Sequence, residues 1–95
     1  KPALLTIIKD KNSPSYLRVR SLQLLGSKGG AEAAVLLKEI AVNRQIERNY
    51  IPYIMNTLAT NHREGAIPAL KEIREINGSS LESAYNRALK YTVKP

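Results

Sequence analysis

From residue 2 to residue 92 the apolar positions recur three and four apart, the spacing that places them on one stripe of an α-helix. The clearest stretch is 12–40. Leu17, Ser21, Leu24 and Leu25 lie at helical spacing with Arg18, Arg20 and Gln23 between them, so one stripe is apolar and the other faces are wet. Asn12 and Ser13 offer side-chain oxygens to free helix N–H groups, and Pro14 suits a first turn, which predicts a helix over 14–27. Gly26 is expected to close it and Gly29-Gly30 to reverse the chain, before Ala33, Leu36, Leu37 and Ile40 build a second stripe over 31–42.

The rest of the chain repeats this plan. Leu4, Leu5, Ile7 and Ile8 predict a short helix over 2–10, and 11–13 form its exit turn. Ile46, Tyr50, Ile51, Ile54, Met55 and Leu58 form a longer stripe over 45–60, with Pro52 inside it. An interior proline removes a backbone hydrogen bond and crowds the preceding turn, so a kink at 48–51 is expected, the alternative being a helix that starts anew just before Pro52. Ile67, Leu70, Ile73 and Ile76 predict a helix over 64–76 that Asn77-Gly78 stops, with Pro68 in its first turn. Ser79 or Ser80 is expected to cap a last helix over 81–92 that carries Leu81, Ala84, Tyr85, Ala88 and Leu89. Six helices in three pairs result, joined by short loops that favour antiparallel neighbours. Leu25, Leu37, Ile54, Leu58 and Leu70 are the expected core.

Comparing the chain with itself turns this pattern into a repeat. In the second helix of each pair, Leu17, Ser21 and Leu25 match Tyr50, Ile54 and Leu58 at an offset of 33, and Leu81, Tyr85 and Leu89 at a further 31. In the first helices, Leu5 and Ile8 match Leu37 and Ile40, then Leu70 and Ile73. A period of two helices every 30-odd residues marks a stacked helical array. Leu17-Arg18-x-x-Ser21-x-x-x-Leu25-Gly26, preceded by Asn12 and followed by the glycine turn and Ala33-x-x-Leu36, resembles a HEAT repeat, and within that group the short bacterial and archaeal type first noted in phycobilisome lyases. The resemblance implies an all-α fold, a short right-handed α-solenoid of three antiparallel helix pairs (six helices) in one domain, 1–95, with repeats at about 1–28, 29–62 and 63–95. It also implies a polar ladder, in which an aspartate before each second helix meets an arginine within it. Arg18 holds the arginine position and Asn12 the aspartate position, but the later copies have Ile51 and Glu82, and Gln45 and Asn77, so a continuous ladder is not expected. Tetratricopeptide repeats are the nearest rival, on Ala84-Tyr85 and Ala88-Leu89, but their Trp and Gly-Tyr signals are missing.

Composition refines rather than changes this picture. Ninety-five residues with 43% apolar content suit one small domain, and five Tyr with no Phe or Trp leave its interior to aliphatic side chains. Without cysteine there is no disulfide, thiol nucleophile or Cys-based zinc site, and the compartment stays open. No apolar run approaches the ~20 residues that cross a bilayer, so a soluble chain without membrane contact is expected. The first residue is Lys1 rather than Met, the start expected of a processed or excised piece. The net charge of +7 is concentrated at the two ends of the sequence: residues 1–30 carry six basic side chains against Asp10 alone, 31–80 balance, and 81–95 carry three against Glu82.

No catalytic constellation emerges, and an enzyme is not expected. His62 is the sole histidine and is read as a helix C-terminal cap or a simply exposed side chain; Glu72 and Glu75 alternate with Lys71 and Arg74, as on a solvated face; Gly26, Gly29 and Gly30 are turn residues rather than a phosphate loop. No metal or cofactor is implied. Two binding readings remain. Tyr53 and Tyr91 lie beside the core stripe of the second helices, the layer that lines the inner curve of such solenoids, and rings of this kind anchor protein interfaces. The expected function is therefore a non-enzymatic scaffold or adaptor that binds another protein through its second helices. The alternative is a basic module that grips nucleic-acid phosphates through Lys9, Lys11, Arg18 and Arg20, although Arg18 and Arg20 project from opposite sides of their helix.

Overall fold

The computed structural model describes residues 2–93, which are helical throughout apart from short turns and contain no strand. The α-helices are α1 (Pro2–Lys9), α2 (Ser15–Lys28), α3 (Gly30–Val42), α4 (Ile51–His62), α5 (Ile67–Asn77) and α6 (Glu82–Thr92). Short 3₁₀ segments, Arg48–Tyr50, Arg63–Ala66 and Gly78–Leu81, lead directly into α4, α5 and α6, so 48–92 form one unbroken helical run after the three separate runs of α1, α2 and α3.

Pro52 explains the first of these segments. The expected kink is absent: α4 begins at Ile51, and Pro52 sits in its first turn, where its missing N–H leaves no intrahelical bond unmade. The apolar phase still runs across the break because Ile46 and Tyr50, one in the loop and one in the 3₁₀ turn, are both buried. Pro68 plays the same part in α5.

The turns also differ from expectation in their chemistry. Asn12 and Ser13 do not cap α2; Asp10 takes the Asn12 N–H at 2.9 Å and the Ser13 hydroxyl at 3.1 Å, and Pro14 is the capping residue. A carboxylate accepts two donors at once, so Asp10 organises the turn that the two polar residues were expected to organise alone. Before α6, Ser80 bonds back to the Asn77 carbonyl and Leu81 takes the cap position without a side-chain bond. Gly26 does not end α2 either. It lies inside the helix, buried, and a Cβ there would overlap the Thr57 side chain of α4. The helix runs on to Lys28, and the chain reverses at Gly29-Gly30 as expected, Gly30 taking a φ of 66° that suits glycine.

The helices pack in a regular order. α2 lies against α4 and α4 against α6; α3 lies against α5; α1 closes on α2. Ile8, Leu22, Leu37, Ile40, Ile51, Ile54, Met55, Leu58, Leu70 and Ile73 are fully enclosed between them. All five expected core residues are buried, whereas Leu24, Leu36 and Ile76, expected on inward stripes, are 37–43% exposed. They lie at the margins of their stripes, where the neighbouring helix no longer covers them.

Polar ties join residues 29 to 35 apart along the chain. Arg18 Nη2 donates to Glu47 at 2.8 Å, the Ser15 and Tyr50 hydroxyls meet at 2.9 Å, Lys38 donates to Glu72 at 3.3 Å and Arg48 to Ser80 at 3.1 Å. Arg44 and Arg63, following α3 and α4, both have positive φ, at 57° and 53°. Their guanidinium groups donate to the Ile76 carbonyl in the last turn of α5 (3.1 Å) and to the Tyr91 carbonyl in the last turn of α6 (3.0 Å). Helix C-termini carry unpaired carbonyls and partial negative charge, so a cation is well placed there.

Candidate functional site

The outer surfaces of α2 and α4 meet in a groove. Gly26 opposite Thr57 sets their close approach at one end, and Asn61 Nδ2 holds Thr57 in place by donating to its carbonyl (2.8 Å) and its hydroxyl (3.0 Å). Two open cavities of about 610 and 590 Å³ follow this groove and share Arg20, Gln23 and Tyr53 as lining. One half continues past Leu24 and Ser27 to Thr60, the other past Val19 and Leu17 to Tyr16. Apolar and aromatic side chains thus stand in water at its margins, with Tyr16 76% exposed and Tyr53 44% exposed.

Beyond α4, the surface passes to α6, which packs against it. Gln23, Asn56 and Arg87 hold equivalent positions, as do Ser27, Thr60 and Tyr91. Tyr91 is as exposed as Tyr53.

Charge divides by layer. α2, α4 and α6 together hold one acidic residue, Glu82, which is paired with Arg74 at 3.8 Å. The same helices expose Arg20, Lys28, Arg87 and Lys90. α3 and α5 carry Glu32, Glu39, Glu72 and Glu75 against Lys38, Lys71 and Arg74, and Lys38 lies within 3.5 Å of Glu39 and 3.3 Å of Glu72. The hydrogen bond to Glu72 raises the Lys38 ammonium above its usual range. The excess charge therefore differs between the α2, α4, α6 layer and the α3, α5 layer as well as along the sequence, a feature visible once each helix has its layer.

The basic cluster of the sequence is dispersed. Arg18 is 3% exposed: its Nε donates to the Ile8 carbonyl at 3.0 Å, its Nη2 to Glu47, and its guanidinium lies 4.5 Å from the centre of the Tyr50 ring. A side chain so engaged joins helices and is withdrawn from any partner. Lys11 faces a separate cavity of about 330 Å³ with Arg44, Gln45 and Glu47, and Lys9 is exposed at the end of α1. Arg20 alone of the four lines the α2–α4 groove. Tyr50 and Tyr85 are buried as their places on the core stripe require, and Arg74 stacks 4.2 Å from the Tyr85 ring as Arg18 does on Tyr50. Glu47 was missed in the sequence, since nothing local marks a loop glutamate as the partner of an arginine 29 residues earlier. Tyr16 was missed because it falls outside every apolar stripe.

His62 is not the cap expected. It ends α4, but its Nε2 is buried without a hydrogen-bond partner, and the ring lines a cavity of about 220 Å³ with Leu58, Ala66 and Ala69. The N–H of Arg63 satisfies the Ala59 carbonyl instead. Among the described residues no three His, Cys, Asp or Glu side chains converge as metal ligands, and no helix is long and apolar enough to cross a membrane. Comparison with protein-family models, curated proteins and solved structures returns no match for this chain.

Proposed function

We propose that the chain is a non-enzymatic adaptor, a right-handed stack of three HEAT-like helix pairs that presents the α2, α4 and α6 face to another protein. The packing order, with α2 on α4 on α6 and α3 on α5, supports the repeat reading, as do polar ties spanning 28 to 35 residues. The function rests on one observation: the α2–α4 groove is bordered by exposed Tyr16, Tyr53 and Leu24, the kind of amphipathic anchors that interfaces bury. A photo-crosslinking residue at position 53 should then capture a protein partner from the source cell, while the same residue at Lys71 on α5 should not. Equal capture from both positions, or capture of nucleic acid alone, would overturn the reading.

The near absence of acidic residues from α2, α4 and α6 favours a second reading, contact with nucleic-acid phosphates. Affinity for generic DNA or RNA would then fall steeply between about 50 and 200 mM salt as bound counterions are released, and reversal of Arg20, Arg87 and Lys90 to Glu would abolish it.

A further inference from the structure

Seven arginines occur in the sequence, and five are committed within the fold: Arg18 to Ile8 and Glu47, Arg44 to Ile76, Arg48 to Ser80, Arg63 to Tyr91, and Arg74 to Glu82 and the Tyr85 ring. Arg20 and Arg87 are the two with no partner among the described residues, and both are exposed. They belong to the outer helices of the α2, α4, α6 layer. Tyr53 stands on the helix between them, and the layer's one carboxylate, Glu82, is already paired with Arg74. Arg20 lines the groove directly; Arg87 holds on α6 the position that Gln23 and Asn56, both groove-lining, hold on α2 and α4.

We infer that this face binds an acidic protein segment, an apolar anchor residue flanked by carboxylates, with the anchor against Tyr53 and Leu24 and the carboxylates on Arg20 and Arg87. The inference rests on the adaptor reading and specifies its partner. A guanidinium offers a carboxylate two parallel N–H donors, a geometry that an ammonium lacks, and the absence of nearby acids leaves both forks free to do so. The walls of the groove decide between acidic protein and nucleic acid. A strand of duplex presents a charge about every 3.4 Å of helix axis, and the groove meets it with one cation, Arg20, among neutral side chains, from Tyr16, Leu17, Val19 and Leu24 to Gln23 and Asn56. Most phosphates would find no countercharge there. A peptide that alternates apolar residues with a few carboxylates matches both the walls and the two cations.

The test pans a displayed library of random peptides, long enough to span the groove, against the complete chain and against an Arg20→Gln/Arg87→Gln variant. Both side chains are exposed, and circular dichroism checks that the variant keeps its helices. Peptides selected on the unaltered protein should be rich in Asp and Glu around an apolar residue. They should bind roughly tenfold or more tighter than copies with Asn and Gln in place of the acids, the range expected for charge-assisted hydrogen bonds. The double variant should lose that advantage, and Tyr53→Ala should weaken acidic and neutral copies alike. Selected peptides without acidic bias that still depend on Tyr53 would overturn this inference and leave the adaptor reading standing. Failure to select any peptide that depends on Tyr53 would overturn both. Tighter binding of oligothymidylate or oligouridylate than of the best peptide would overturn the inference in favour of nucleic acid.

Discussion

Arg18 of α2 and Glu47 of the loop before α4 meet at 2.8 Å, and the guanidinium that makes this contact is nearly buried while the carboxylate is 39% exposed. The pair is thus asymmetric. Removing Glu47 leaves a buried cation with one carbonyl and one ring for company; removing Arg18 leaves a carboxylate that water can reach. Glu47→Gln keeps an oxygen acceptor and should cost about 1 kcal/mol, whereas Arg18→Ala, which loses the Ile8 bond and the Tyr50 stack as well, should cost about 2–4 kcal/mol. Urea denaturation of the two variants checks the order.

The same pair gives a pH dependence. The Arg18 hydrogen bond, helped by a backbone donor, holds the Glu47 carboxyl below the usual carboxylate range. A carboxylate lowered on folding contributes stability that is fully present above its unfolded pKa of about 4.3 and is lost as pH falls through the lower folded value. Midpoints measured from pH 7 down to pH 3 should fall in that acidic window, and the fall should be shallower in Glu47→Gln.

Gly26 tests the approach of α2 to α4. Alanine in the middle of a helix ordinarily gains about 1 kcal/mol over glycine. Here the added methyl would overlap Thr57, so Gly26→Ala should instead destabilise by about 1–3 kcal/mol. Thr57→Ala in the same chain should recover most of the loss, and a double-mutant cycle measures the coupling.

Pro52 stands where a helix tolerates proline, so Pro52→Ala should change stability by no more than about 1 kcal/mol, the change arising from the freer unfolded chain. A loss several times larger in thermal or urea unfolding would mean that the ring itself braces the 3₁₀ entry.

Leu58, on the central helix α4, is 1% exposed. Leu58→Ala should cost about 2–5 kcal/mol by calorimetry or urea denaturation, as leucines in closed cores do.

The periodicity of apolar residues located every α-helix to within a few residues, apart from the late start of α4, because burial on one side is what places those residues there. It failed where burial comes from two sides. Leu22 is fully enclosed yet falls off the stripe defined by Leu17, Ser21 and Leu25, since α2 is packed by α1 and α4 together and its buried arc is wide. Ile76 failed in the opposite sense, lying on the stripe but beyond the reach of a covering helix. Turn chemistry was legible by residue type and not by partner: Gly30 and Gly78 take the positive φ that glycine permits, but the donors around Asp10 chose among several nearby acceptors. Of the candidate binding residues, Tyr53, Tyr91 and Arg20 could be read as exposed from their place beside the stripe. The burial of Arg18 depends on a carbonyl ten residues before it and a carboxylate 29 after it, which no window on α2 contains.

The ties made by Arg18, Arg48, Arg44, Arg63, Lys38 and Ser15 reach 28 to 35 residues along the chain, about one hairpin forward each time. In kinetic terms, the chain never has to search its whole length to make them. Each tie closes a loop of similar, modest size, and the entropic cost of closing a loop grows only slowly with its length. A helix that has formed gives the next a ready surface on which to condense, since α2 lies against α4 and α4 against α6.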